Sequence, residues 1–231
     1  MGMIWLVFIG TVVLSLVAVA RVRSTYARYA QVPASSGMTG AQAAEAILRS
    51  AGIADVEIVE QDGLLSDHYD PLNRRLVLSS ENYQSNSLSA VGVAAHETGH
   101  AIQHQMAYQP LQIRMAAVGM TSFASQIVTW LPILGMFTHI LSTYSGLLIM
   151  AIGWGVIMAF NLVTLPVEFD ASRRAKELLP RLGVISGSEE ALAVDKVLNA
   201  AAWTYVAAFI TSLAYFLLYL LPLLSGNRRD D

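Results

Sequence analysis

"MAAVGMTSFASQIVTWLPILGMFTHILSTYSGLLIMAIGWGVIMAFNLVTLPV" fills residues 115–167, and none of its 53 residues is Asp, Glu, Lys or Arg. A helix rises about 1.5 Å per residue and needs roughly 20 residues to cross the hydrocarbon core, so the stretch can hold two spans. Gly, His, Ser and Thr cluster in "GMFTHILSTYSG" at 135–146, which places the break between the spans there. Outward from it, residues 197–227 are again uncharged, and "MIWLVFIGTVVLSLVAVA" at 3–20 supplies another apolar segment. The pattern predicts four spans, near 3–20, 116–136, 143–165 and 199–223. Composition agrees: the 231 residues are 55% hydrophobic and 13% charged, with a mean hydropathy of +0.50, too apolar for an ordinary soluble domain.

Charge then orients the chain. Of 14 Lys and Arg, 12 fall in residues 21–114 or 173–196, and the other two are Arg228 and Arg229. Basic segments stay cytoplasmic, so both polar segments are expected in the cytosol and both termini outside. "AVA" before Arg21 loosely resembles a signal-peptide cleavage site, but no basic region precedes the apolar run and "RVRSTYAR" follows at once, which favours a retained anchor. The expected organisation is an anchor at 1–22, a cytosolic domain at 23–114, a two-span hairpin at 115–166, a cytosolic segment at 167–197, and a last span with a short tail at 198–231. The chain has no Cys, which rules out disulfides and fits a reducing compartment. A net charge of −3, with no basic cluster interleaved with aromatics, gives no nucleic-acid signal.

Within 23–114 the sequence predicts helix, strands, then helix. Thr39 can cap "GAQAAEAILRSA", and Gly52 stands where a helix would end in a left-handed residue. "VEIVEQ" at 56–61 alternates apolar and polar, Asp62-Gly63 and "DPLN" are turn signals, and "RRLVLS" at 74–79 is a second strand. Their place before the last helix suggests that these strands bind an extended peptide by edge pairing. From Leu88 to Ala107 small residues dominate, which suits a helix packed closely on its neighbours, whose polar side chains then need partners.

That helix carries "AAHETGHAIQH" at 94–104. His96 and His100 are one turn apart on one face and can converge on one zinc ion, while Glu97 is rotated about 100° and stands beside the metal, where a general base is needed. His104 lies about 12 Å along the helix from His96, too far to share the ion. The better third ligand is Glu168 in "LPVEFDASRRAKELL". It is the first charged residue after the uncharged stretch, it follows Pro166, expected to start a helix, and it emerges on the same membrane face. Asp170 fits two roles equally: acceptor for a ligand histidine's second ring nitrogen, or capping acid at a helix N-terminus.

Together these motifs resemble the YugP-like family of membrane zinc metallopeptidases, the neutral zinc metallopeptidase family. The likeness runs nearly end to end, through the N-terminal anchor, "DHYDP" at 67–71, "LS" at 78–79, "AAHETGHAIQH", "LPVEFDASRRA" at 165–175 and "KVLNAAAWTYVAA" at 196–208. The resemblance implies a mainly α multi-pass membrane protein with a small α+β zincin-like cytosolic catalytic domain. It further implies Zn2+ held by His96, His100 and Glu168, with Glu97 as catalytic base. The expected activity is endopeptidase hydrolysis at the cytosolic face, in membrane-protein processing or quality control, and the expected location is the bacterial inner membrane. Expected partners are a protein or peptide substrate and the lipid bilayer, with a homo-oligomer or a quality-control complex left open. Zincins with a glutamate ligand commonly place an Asp four residues after it to support a histidine; here that residue is Ser172, leaving Asp170 or no residue in the role. A second oxyanion donor could come from His68, Tyr69 or Tyr205.

Two other classes fit parts of the sequence. A non-catalytic zinc-binding scaffold is disfavoured by the intact Glu97, since a closed structural site needs no base. A site-2-like intramembrane protease would place HExxH inside a span and draw an Asp from a later one, but "SSENYQSNS" precedes this helix, Arg114 follows soon after it, and no Asp falls in a later span. A channel or transporter is weaker, because His139 is the only ionisable residue among the spans.

Overall fold

The computed structural model describes residues 2–63, 66–138 and 143–226. The fold is mainly helical, with four long apolar helices and one small mixed sheet. In chain order the elements are α1 (Gly2–Tyr29), α2 (Gly40–Ser50), β1 (Glu57–Gln61), β2 (His68–Asp70), β3 (Arg75–Ser79), α3 (Ser80–Gln84), α4 (Leu88–Gln105), α5 (Gln109–Thr138), α6 (Tyr144–Arg181) and α7 (Gly187–Gly226). Helices α1, α5, α6 and α7 are long and apolar enough to cross a membrane, as the uncharged segments predict. Helix α5 ends at Thr138 and α6 begins at Tyr144; residues 139–142, His139 among them, where the break is expected, lie outside the described residues.

Two compact units divide the chain. The first comprises Met1–Val17, Ile113–Leu165 and Thr204–Asp231. Its helices expose Leu6, Phe123 and Trp130, as lipid-facing surfaces do. They contact one another through aromatic and polar residues: Trp154 stacks on Tyr215 with centroids 4.5 Å apart, and Asn161 Nδ2 donates to Ser212 Oγ at 3.0 Å.

The second unit comprises Ala18–Gln112 and Pro166–Trp203. Its local structure follows the sequence signals. Thr39 and Gln42 form a reciprocal capping box on α2, and Gly52 closes that helix at φ +69°. The sheet order is β1-β3-β2, with β1 parallel and β2 antiparallel to β3. Strand β2 comes from the "DHYDP" motif. Its last residue, Asp70, opens the turn through Oδ1, which accepts from the amides of Leu72 and Asn73. The sheet corrects the edge-pairing expectation for 74–79: β3 is paired on both sides, and among the described residues β1 and β2 are the outer strands.

Behind the sheet, α4 forms the centre of a core with Ile47, Leu48, Val91, Ala95, Leu179, Val194 and Leu198. Ser87 caps α4 by accepting from the Ala90 amide at 3.2 Å. The expectation that Pro166 starts a helix is corrected: α6 continues through it from Tyr144 to Arg181. The proline removes one backbone donor, and the hydrogen bonds on either side keep the helix intact.

One glycine sets the spacing of α4 against α6. A Cβ at Gly99 would lie 2.8 Å from the Ala171 carbonyl oxygen and 3.0 Å from its Cα, both backbone atoms. Gly99→Ala gains about 1 kcal/mol in helix propensity. It should still lower stability by a net amount of about 1–2 kcal/mol, because overpacking against backbone outweighs that gain. Denaturation of the detergent-solubilised chain measures the effect, and an unchanged midpoint would refute the tight contact.

Candidate metal centre

The α4–α6 contact brings together the residues singled out by the sequence. His96 Nε2 lies 3.2 Å from Glu168 Oε2, and His100 Nε2 lies 3.7 Å from the same oxygen. The imidazole centroids are 4.9 Å apart with planes at 82°. Side-chain exposure is 12% for His96, 10% for His100 and 1% for Glu168, so the three groups converge away from solvent. Among the described residues this is the one His, Cys, Asp and Glu cluster suited to a metal, with all donor atoms within 4.8 Å of one another.

Zinc fits this set. At bond lengths of about 2.0–2.1 Å, two donors on a tetrahedral ion lie roughly 3.3 Å apart, between the two observed separations from Glu168. Two imidazoles and one carboxylate also leave one of four positions open, as catalytic zinc requires.

The outward ring nitrogens are anchored by residues that the motif does not specify. His96 Nδ1 lies 3.1 Å from Ser172 Oγ, and His100 Nδ1 lies 3.0 Å from Gln103 Oε1. With both Nε2 atoms turned to the cluster, each Nδ1 carries the proton and donates outward. Gln103 is fully buried and its amide is committed at both ends: Nε2 donates to the Val167 carbonyl at 2.8 Å and to Asp170 Oδ2 at 2.9 Å. Asp170 in turn accepts from Arg174 Nε at 2.6 Å and pairs with Arg173. Neither role expected for Asp170 holds. It lies in the middle of α6 rather than at an N-terminus, and it touches Gln103 rather than a histidine. Ser172 itself holds His96.

Glu97 is partly exposed and makes no hydrogen bond among the described residues. The protein packed around the carboxyl pushes it up from its ordinary value, His96 and His100 pull it back, and Glu168 adds to the rise. For His100, burial favours the neutral form, but the hydrogen bond and charge of Glu168 outweigh it and raise the imidazole. His104 stands apart, with Nδ1 2.8 Å from the Tyr69 hydroxyl. His68 is exposed and bonds the Ser66 carbonyl at 2.7 Å, and Tyr205 belongs to the other unit. Asp67, unremarked in the sequence, accepts from the Ser79 amide at 2.8 Å and from Asn82 Nδ2 at 2.9 Å, tying the start of β2 to β3 and α3. The HExxH helix, α4, is not among the four described helices that are long and apolar enough to cross a membrane.

Removing the outward anchors should loosen the metal without removing a donor. Ser172→Ala and Gln103→Leu are each expected to weaken zinc affinity about 10–100-fold, measured by competition with a chromophoric chelator. Wild-type affinity in both would show that the ring orientations do not depend on these contacts.

Residues 4–224 match the family described as "Putative neutral zinc metallopeptidase". The chain is also 42% identical over 223 residues to "Putative membrane protease YugP" of Bacillus subtilis (strain 168), with 94% of each chain covered. No solved structure matches it. The family, the four apolar helices and the buried His, His and Glu cluster agree with one another, and zinc is the cofactor they imply. The chain belongs to the neutral zinc metallopeptidase family.

Proposed function

We infer that this chain is a zinc-dependent endopeptidase that cleaves protein or peptide substrates at the cytosolic face of the bacterial inner membrane, in membrane-protein processing or quality control. The observation that carries this reading is the buried cluster of His96, His100 and Glu168, with Glu97 next to His96 on α4. His96, His100 and Glu168 are the proposed ligands. When bound, zinc supplies a Lewis acid that polarises the scissile carbonyl and acidifies the attacking water. Glu97 takes the proton from that water and hands it to the departing amine, the work of a carboxylate general base. Ser172 and Gln103 hold the two imidazoles in the tautomer that keeps Nε2 free to ligate. The basic segments at 21–114 and 173–196 support a cytosolic catalytic domain at 23–114, completed by the segment at 167–197.

Two substitutions separate binding from chemistry. Glu97→Gln should retain zinc and lose cleavage of an unfolded model protein by about 10²–10⁴-fold, the usual contribution of a general base. Cleavage at the wild-type rate would remove Glu97 from the mechanism. Glu168→Ala should lower zinc content measured by elemental analysis, and full occupancy would strike it from the ligand set.

A further inference from the structure

Three cations converge on a cavity built away from the metal-centre residues. On α1, Arg21, Ser24, Thr25 and Arg28 recur at helical spacing and share one face. Tyr29, together with Lys196 and Asn199 of α7, completes the lining of the same cavity of about 410 Å³. Arg21, Arg28 and Lys196 are exposed, and no Asp or Glu lines the space. Asp195, next to Lys196 in the chain, is already engaged by Lys176 Nζ at 2.7 Å and by Asn199 Nδ2 at 2.8 Å. The guanidinium of Arg21 lies 5.9 Å from the Trp203 ring centroid, and that of Arg28 lies 5.6 Å from the Tyr29 ring centroid. Such contacts place a cation without neutralising it.

Position along the chain identifies the occupant. Arg21 directly follows the apolar run at 3–20, and Lys196 directly precedes the uncharged run at 197–227. Both cavity walls therefore continue into segments of membrane-spanning length. Trp203, 48% exposed, is the kind of side chain that settles at headgroup depth. Topology alone requires basic residues near these span ends. It does not require that they converge from two helices on one acid-free cavity lined with hydroxyls.

We propose that this cavity binds the phosphodiester headgroup of an anionic phospholipid, with Arg21, Arg28 and Lys196 as charge partners and the Thr25 hydroxyl as a neutral donor. Inorganic phosphate offers the same charge, but the apolar runs that end just before Arg21 and begin just after Lys196 in the sequence favour a phosphate carried by a lipid.

The test is native mass spectrometry of the full zinc-loaded chain in neutral detergent, titrated separately with phosphatidylglycerol, phosphatidylcholine and inorganic phosphate. Phosphatidylglycerol should bind at least about tenfold tighter than phosphatidylcholine, and the preference should disappear in Arg21→Gln/Arg28→Gln/Lys196→Gln. The single Lys196→Glu variant should weaken it severalfold and serves if the triple variant does not fold. Arg49→Gln/Arg75→Gln, which removes two exposed cations elsewhere, should bind like wild type. Equal retention of the two lipids, or unchanged binding in the cavity variants, overturns the proposal. Displacement of phosphatidylglycerol by an equal concentration of inorganic phosphate would show a site for a free anion and overturn it too.

Discussion

A carboxylate that is 1% exposed, facing two imidazoles from another helix, is the constraint on which the catalytic unit is arranged. A buried ionised group costs several kcal/mol unless its charge is matched and its oxygens are engaged. Glu168 therefore has to face His96 and His100, and α4 has to approach α6 closely enough for that. Gly99 against the Ala171 backbone permits the approach. The core of α2, α4 and the ends of α6 and α7 fixes it from behind, and the sheet packs on α4 through Ala94, Leu76 and Leu78.

Outward from the cluster, the two histidines are held differently but by the same kind of group. His96 meets a hydroxyl and His100 meets an amide carbonyl, both neutral. Asp170, with its two arginines, acts one step further out by fixing the Gln103 amide. The outward nitrogen of each ring is thus held by a neutral group, and Glu168 is the one carboxylate that faces the two rings among these contacts. The Ser at 172, where related zincins commonly carry an Asp, is consistent with that arrangement rather than a defect in it.

Much of this was legible in the sequence because it depends on local period and spacing. The uncharged runs give the apolar helices, Thr39 and Gly52 bound α2, and the four-residue interval puts His96 and His100 on one face. Gln103 escaped notice because a buried glutamine has no local signature. Its partners, Val167 and Asp170, lie 64 and 67 residues away and meet it only through the crossing of two helices. Pro166 misled for a related reason: in isolation it signals a helix start, whereas the packed α6 carries it without a break. "DHYDP" was legible as a turn but not as a strand, since the three residues of β2 pair only where β3 is present to receive them.

The 72-residue separation of His96 and Glu168 also sets an order of assembly. At synthesis rates of about 5–20 residues per second, the histidine pair leaves the ribosome roughly 4–14 s before its carboxylate partner. Two apolar helices, α5 and the first part of α6, are made in that interval. A nascent chain that stops short of Glu168 has two of the three clustered donors, so the cluster is complete only once that part of α6 has been made.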